Sequence, residues 1–225
     1  MSWDKINVFQ YQQLIPALGI DDPTDQNMRL IAILNGWTDN QVDSLSVEEY
    51  AKEKAKLGFL NDSIEGKPVK VIKVNGRRYK CVYDIRKLPS GRYIESKVFS
   101  QDLIGNLHKI AASMVIPMKR TIFGWKLDKY DASKHEQYAD DMLEARFVDV
   151  YHSIVFFYQV YRNWMEVTKD YLIQQMMKVG KSHSEAEKEV QNLLNILDGS
   201  IVPNLLPTST ISAITKDLNL TLSNI

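Results

Sequence analysis

The chain has 225 residues, of which 44% are hydrophobic and 25% are charged. This composition suits one or two globular domains and excludes disorder over most of the chain, because enough apolar surface exists to offset the entropy of ordering. Cys81 is the single cysteine, so an internal disulfide is excluded. The first residues lack the pattern of a signal peptide, and the most apolar stretch, 150–161, is shorter than the about 20 residues of a membrane span. We therefore expect a protein that folds in a cytosol and crosses no membrane.

The formal net charge is zero, but the charges are unevenly distributed. Residues 1–65 hold 11 acidic and 5 basic side chains, whereas residues 66–98 hold 2 acidic and 10 basic ones. Such asymmetry attracts an oppositely charged partner or a neighbouring copy, or it lets the two regions face each other within one chain. Four regions follow from these patterns: an N-terminal helical region at 1–65, a basic β-hairpin region at 66–100, a helical domain at 101–199 and a C-terminal tail at 200–225.

The N-terminal region is predicted to be a short packed arm over residues 1–20 followed by helices. Gly36 is predicted to end the first of these helices, and another is predicted to end near Gly58. Three helix starts are predicted because a hydroxyl can accept a hydrogen bond from an otherwise unsatisfied backbone N–H. These starts are Thr24, Thr38 with Gln41, and Ser46 with Glu49.

The basic region contains a strong β-hairpin signal. Asn75 and Gly76 favour the positive φ of a two-residue turn, and residues 69–74 before them are rich in β-branched side chains. After the turn, tyrosines alternate with basic residues, so we expect one aromatic and one charged face. An isolated hairpin is marginally stable, so this one must pack on another element.

The second half is predicted to be mostly helical. Apolar residues recur at helical spacing from Leu103 to Met114, and residues 118–132 are predicted to be irregular and anchored by Phe123, Trp125 and Tyr130. A helix start is predicted at Ser133 with Glu136. Since no glycine or proline occurs from 126 to 179, the helix that begins there is predicted to run for about 45 residues, either continuously or with a break within it.

The middle of this long helix carries a broad aromatic belt between residues 147 and 164. Such a belt must be buried, either by the rest of the chain or by another subunit. Gly180 is predicted to end the helix, and Ser184 with Glu187 to start another. In the tail, alternating leucines at 218, 220 and 222 fit either a strand added to a neighbour's sheet or a loosely packed segment.

Catalytic signatures are incomplete in this sequence. The end of a phosphate-binding loop at residues 180–182 lacks its first glycine, since position 175 is Gln175, and the zinc-helix pair at 135–136 lacks its second histidine, since position 139 is Ala139. Acidic residues at 136, 140 and 144 share one helix face, which is typical of a solvated surface and less often of a carboxylate site. We expect no enzyme activity, no metal and no cofactor.

The basic hairpin also permits a nucleic-acid interpretation. Tyr79 and Tyr83 can stack on bases, although the whole chain is neutral and nucleic-acid-binding domains are usually basic. The basic residues that can contact phosphates are Lys70, Lys73, Arg77, Arg78, Lys80, Arg86 and Lys87.

Residues 28–50 resemble tail assembly chaperones of tailed phages. In those proteins an apolar helix stops at a glycine turn, here 34–36, and a short acidic step and a second helix follow, here 42–50. Residues 72–79 and 106–111 are similar to structural-region proteins of gut Bacteroidota phages, crAss-like phages included. The resemblance covers well under half of the chain and leaves out the long aromatic helix. It implies tail or neck morphogenesis through protein contacts, in the host cytoplasm or the virion, without a cofactor.

These patterns together predict a mainly α fold with a small β-hairpin element (α+β), namely a helical bundle with one long aromatic-rich helix. The predicted function is that of a tail assembly chaperone or virion structural component, which forms homo-oligomers and contacts other tail or neck proteins. A nucleic-acid-binding factor that uses the basic hairpin is the alternative. The predicted partner-binding residues are Tyr151, Tyr158, Tyr161, Trp164, Arg77, Arg78 and Lys80.

Overall fold

The computed structural model describes residues 1–84, 87–88 and 90–198. The described part is mainly helical with a small antiparallel sheet, which confirms the predicted fold class. The leucines predicted to alternate in the C-terminal tail and Arg86 lie outside the described residues. The helices are α1 (Val8–Ala17), α2 (Pro23–Asn35), α3 (Asp39–Asp43), α4 (Val47–Ala55), α5 (Ser90–Phe99), α6 (Leu107–Ser113), α7 (His135–Glu144), α8 (Phe147–Lys178) and α9 (His183–Asp198). The strands are β1 (Val71–Val74), β2 (Arg77–Cys81), β3 (Val115–Thr121) and β4 (Gly124–Leu127), and they lie side by side in that order.

The N-terminal segment predicted as an arm is largely helical. The Asn7 side chain accepts a hydrogen bond from the Gln10 backbone N–H at 2.8 Å, and the Gln10 side chain accepts one from the Asn7 N–H at 3.1 Å. This reciprocal pair satisfies two backbone donors at the start of α1. The Asn-x-x-Gln pattern is a sequence signal for this helix that the prediction of an arm omits.

The helix start predicted at Thr24 was wrong by two positions, because the capping residue is Asp22. The Asp22 carboxylate accepts hydrogen bonds from the backbone N–H groups of Thr24 and Asp25 at 2.8 and 2.9 Å, and Pro23 occupies the first helical position. Proline suits that position because its missing N–H is not needed there. Gly36 ends α2 with φ +66°, as predicted.

The next two predicted helix starts are confirmed. Thr38 and Gln41 form a complete capping box before α3, and Ser46 and Glu49 form another before α4. These short helices are mostly polar and exposed, and the capping side chains satisfy backbone N–H groups at their starts.

The single long helix predicted from Ser133 is two helices, α7 and α8, separated by an extended backbone at Ala145. The Val8 N–H donates to the Ala145 carbonyl at 3.1 Å, and the Phe147 N–H donates to the Ile6 carbonyl at 2.8 Å. Hydrogen bonds with the N-terminal segment thus replace helical ones at this break. The sequence gives no signal for it, because neither glycine nor proline occurs there. Ser133 does not cap α7. It lies in a 3-10 turn, and its N–H donates to the Asp131 carboxylate at 3.1 Å.

The last described helix also begins earlier than predicted. The Ser182 hydroxyl accepts a hydrogen bond from the Glu185 N–H at 3.3 Å, and the Glu185 carboxylate accepts one from the Ser182 N–H at 3.0 Å. Ser182 with Glu185 therefore starts α9, in place of the predicted pair two residues later. Gly180 precedes it with φ +92°.

The predicted β-hairpin is confirmed, with Asn75 and Gly76 at φ +50° and +71° between β1 and β2. The prediction of an irregular segment at 118–132 was wrong, because β3 and β4 occupy residues 115–127 and extend the sheet to four strands. Pairing of β3 satisfies the backbone groups on the second edge of β2. Pro117 within β3 and the absence of an Asn-Gly turn concealed this hairpin in the sequence. Helix α5 was not predicted from the sequence.

The chain separates into a compact unit at Met1–Thr168 and a second that begins at Lys169. The basic hairpin belongs to the first unit together with the N-terminal helices, although composition separates the two. In the first unit, Phe147 is fully buried and its ring stacks on Tyr11 with centroids 3.8 Å apart. Burial of a ring of this size contributes roughly 2–3 kcal/mol. In the second unit, the buried side chains include Ile173, Ala186 and Val190.

Candidate binding site on the outer face of the sheet

The aromatic belt of α8 lies mostly inside its own unit. Tyr161 is 7% exposed, and Tyr151 and Tyr158 are half-buried against the core. The rest of the chain therefore buries most of the belt, which is one of the two alternatives that the sequence left open. Of the four predicted partner-binding residues on α8, Trp164 alone is classed as exposed, at 39%.

The polar residues within the belt hold α8 against the segment that leads into the sheet. The Ser153 hydroxyl accepts hydrogen bonds from the Tyr83 hydroxyl at 3.0 Å and from the Val69 N–H at 3.4 Å. His152 is buried, and a Cβ atom at Gly66 would lie only 2.5 Å from its ring. Burial lowers the pKa of His152 below its ordinary value of 6.5, so this side chain is a neutral core residue.

The inner face of the hairpin is anchored on α7 by one carboxylate. Asp141 is buried and accepts hydrogen bonds from the Arg77 guanidinium at 2.7 Å, from the Asn75 amide at 3.3 Å and from the Tyr79 hydroxyl. Burial, together with the neighbouring Asp141 carboxylate, raises the pKa of Tyr79. Tyr79 is 1% exposed and packs edge-on against Tyr138, so it cannot stack on bases. Arg77, a predicted partner-binding residue, is therefore already engaged within the chain.

The outer face of the sheet lies opposite the face on which Tyr79 packs against α7. We use this name for the side chains that alternate with the buried ones along the four strands. They are Val71, Lys73, Arg78, Lys80, Ile116, Met118, Arg120, Trp125 and Leu127. All of them are exposed or half-buried, and none is acidic. Two predicted partner-binding residues, Arg78 and Lys80, lie on this face.

Strand register sets the centre of the outer face. Met118 lies opposite Arg78 on one side and opposite Leu127 on the other. The Arg78 guanidinium lies over the Trp125 ring, 4.6 Å from its centroid. A cation–π contact at an exposed site contributes about 0.5–1 kcal/mol. The centre is thus an apolar patch of Met, Trp and Leu.

Positive charges surround this patch without internal compensation. Within the described part of the chain, no carboxylate lies within 4.0 Å of the charged groups of Lys73, Lys80 or Arg120. Lys73 also lies directly opposite Arg78 across the β1–β2 pair. Like charges at such positions destabilise a sheet by about 0.2–1 kcal/mol. Lys73, Lys80 and Arg120 are therefore exposed positive charges on this face, without an ion-pair partner among the described residues.

The β3–β4 turn extends beyond the core and adds apolar surface. Ile122 and Phe123 at its tip are 91% and 84% exposed. The expectation that Phe123 anchors the segment is therefore wrong, and Trp125 lies on the outer face at intermediate exposure. Arg120 and Trp125 were not predicted as site residues, because residues 115–121 are four apolar side chains followed by three polar ones, without the alternation that indicates a strand.

The other sequence candidates do not converge on a site. In the described ranges, no group of three acidic, histidine or cysteine side chains can hold a metal ion. Ser182 caps α9 and Lys181 pairs with Glu189, so residues 180–182 begin a helix without a preceding strand. The part of the chain that the structure covers includes no helix with the length and apolarity of a membrane span.

No family model matches the chain, and no curated protein or solved structure matches it significantly.

Proposed function

We propose that this chain is a tailed-phage tail or neck assembly protein that acts through protein–protein contacts, and that the outer face of the sheet is its principal binding surface. One observation supports the assignment of the outer face as the binding surface. The outer face combines an apolar centre with uncompensated basic residues and contains no acidic side chain. The phage setting is supported by the resemblance of residues 28–50, 72–79 and 106–111 to proteins of that kind.

The residue types on this face favour a protein partner. Trp, Met and Arg are enriched in protein interfaces, and truncating a well-buried Trp or Arg anchor typically costs about 2–4 kcal/mol of binding. Trp125 and Arg78 already contact each other, so little side-chain entropy is lost when a partner covers them. Lys73 and Arg120 lie beside this centre, where charged residues steer association. Such a surface needs no cofactor and performs no covalent step.

The test uses purified tail and neck proteins encoded by the same phage genome. Wild-type protein is mixed with each of them, and complexes are detected by size-exclusion chromatography with light scattering. We expect a complex with at least one of them and a loss of at least tenfold in affinity for the double variant Arg78→Glu/Lys80→Glu. The matched control is Lys5→Glu/Arg162→Glu, which makes the same charge change at exposed positions outside the sheet.

Two outcomes contradict different parts of this proposal. Complexes that the sheet variant forms as tightly as wild type exclude the outer face. If no tail or neck protein binds at all, the assembly role is excluded whatever the surface does.

A second candidate function is binding of single-stranded nucleic acid. The observation that favours it is the alignment of Lys73, Arg78, Lys80 and Arg120 on one sheet face around Trp125. Basic side chains can bind phosphates, and an aromatic ring can stack on a nucleobase. It ranks second because the net charge is zero and Tyr79 faces the core.

Fluorescence anisotropy with a labelled single-stranded DNA of about 30 nucleotides distinguishes this function. Four phosphate contacts would weaken binding by about 50-fold between 50 and 200 mM salt. Arg78→Glu/Lys80→Glu would abolish it, and Lys5→Glu/Arg162→Glu would not. Absence of a salt-sensitive anisotropy change contradicts this candidate.

A further inference from the structure

We infer that the outer face of the sheet in one copy binds the acidic segment 39–49 of a second copy, so that copies join head to tail. This inference rests on the proposed protein-binding role of the outer face and names its partner. It depends on the chemistry of two exposed surfaces that lie in different parts of the first unit.

The acidic segment comprises α3 and the beginning of α4. It contains no basic residue, and its four carboxylates are all exposed. Those side chains are Asp39, Asp43, Glu48 and Glu49. Among the described residues, no basic group lies within 4.0 Å of Asp43 or Glu48, whereas Asp39 has Arg29 at 3.4 Å. The segment therefore presents negative charge that the chain itself largely leaves uncompensated.

The segment also presents an apolar residue in a fixed position. Val47 is 86% exposed and lies beside Glu48, in the first turn of α4. The capping boxes at Thr38 and Ser46 hold the two short helices in place. A surface that is already ordered loses less entropy on binding. The segment can therefore offer Val47 to the apolar centre of the outer face while its carboxylates meet the surrounding basic side chains.

Charge complementarity is the reason that we infer a second copy of the chain as the partner. Asp43 and Glu48, which have no basic group within 4.0 Å among the described residues, are opposite in charge to the basic side chains of the outer face, which are Lys73, Arg78, Lys80 and Arg120. Of the ion pairs formed by the described residues, none joins the segment to the sheet. The two regions thus do not neutralise each other within one chain by direct contact. A copy can use its segment and its sheet at the same time.

The contact is heterologous because two different surfaces meet. Contacts of this kind generate rings when the rotation closes and open arrays when it does not. Repeated contacts of this type between subunits would serve the proposed role in tail or neck assembly. Association should strengthen as salt is lowered, because the paired charges are solvent-exposed before binding.

The experiment compares two charge-reversed variants and their combination. Arg78→Glu/Lys80→Glu reverses the outer face, and Asp43→Lys/Glu48→Lys reverses the acidic segment. Molar mass is measured by light scattering and sedimentation velocity at about 50 and 500 mM salt, on either side of the range in which surface charges become screened. We expect wild type to exceed the monomer mass at low salt and to dissociate at high salt. Each variant alone should associate at least tenfold more weakly.

Rescue provides the decisive arm of this experiment. A chain with all four substitutions should regain association, because its reversed surfaces again attract each other. An equimolar mixture of the two double variants should also associate, since the intact sheet of one meets the intact segment of the other. Lys5→Glu/Arg162→Glu should behave as wild type. Far-ultraviolet circular dichroism verifies that each variant is folded, and all of the substituted positions are exposed or half-buried.

Three results overturn the inference. A wild-type monomer at low salt excludes self-association, but the proposed function stands if a tail protein still binds through Arg78 and Lys80. Association that survives both double variants places the contact between copies elsewhere. Binding of single-stranded DNA by the outer face, in a protein that remains monomeric, assigns that face to nucleic acid.

Discussion

The two faces of the sheet are built from the same strands, but their charged and aromatic side chains have different surroundings. On the inner face, Arg77 forms an ion pair with Asp141, and Tyr79 is buried against α7. On the outer face, Lys73 and Lys80 have no carboxylate partner among the described residues, and the Trp125 ring lies beneath Arg78. Alternation along a strand sends neighbouring residues to opposite faces. Tyr79 therefore contributes to the stability of the fold, whereas its neighbour Lys80 lies on the face that we propose to bind a partner.

The largest expected effect lies on the inner face. Tyr79→Ala removes a ring that is 1% exposed and packs against Tyr138 with centroids 5.9 Å apart. Removing a buried aromatic side chain lowers the free energy of unfolding by about 3–5 kcal/mol. Urea unfolding followed by circular dichroism measures this. Lys80→Ala, one residue further along, is the control and should change it by less than about 0.5 kcal/mol. Equal losses in the two variants would break the distinction between the faces.

The next effect concerns the carboxylate that anchors the hairpin. Asp141→Ala leaves the buried Tyr79 hydroxyl without its acceptor and removes the ion pair with Arg77. We expect a loss of about 2 kcal/mol, since the Arg77 side chain is half exposed and water screens its charge. Asp140→Ala, at an exposed position on the same helix, is the matched control. If Asp141→Ala left the free energy of unfolding unchanged, apolar packing alone would hold the hairpin on α7.

Sequence patterns identified the inner face better than the outer one. Asn75-Gly76 requires a turn that few residue pairs can form, so β1 and β2 were predictable. The break between α7 and α8 was not predictable, because it depends on hydrogen bonds with the Ile6 carbonyl and the Val8 N–H, which are distant in sequence. The outer face was only half predictable, since Arg120 and Trp125 join Arg78 through the pairing of β2 with β3 and β4. Single-sequence periodicity contains no information on such pairing.

A smaller effect is expected for the contact at the centre of the outer face. Trp125→Ala removes the ring beneath the Arg78 guanidinium. A double-mutant cycle with Arg78→Ala, measured by urea unfolding, should give a coupling free energy of about 0.5–1 kcal/mol. A cycle with Lys126→Ala in place of Arg78→Ala serves as the control, because Lys126 follows Trp125 in β4 and so lies on the opposite face. Zero coupling between Trp125 and Arg78 would show that the contact does not order the face.

The smallest expected effect on stability is that of the variant that should abolish binding. Arg78→Glu/Lys80→Glu loses the cation–π contact but places a carboxylate at position 78, opposite Lys73, so that attraction replaces repulsion. The two changes offset each other, and the free energy of unfolding should stay within about 0.5 kcal/mol of wild type. Thermal unfolding by circular dichroism measures this. A large loss would place these two residues among those that hold the fold together.

The most direct test of a binding role for the outer face is lysine footprinting of the unmodified protein. The rate at which an acylating reagent modifies each amine is measured by mass spectrometry, in the free protein and in its complex with itself or with a tail protein. We expect Lys73 and Lys80 to react several-fold more slowly in the complex, whereas Lys5 should keep its rate. Unchanged rates at Lys73 and Lys80 in a verified complex would contradict that binding role.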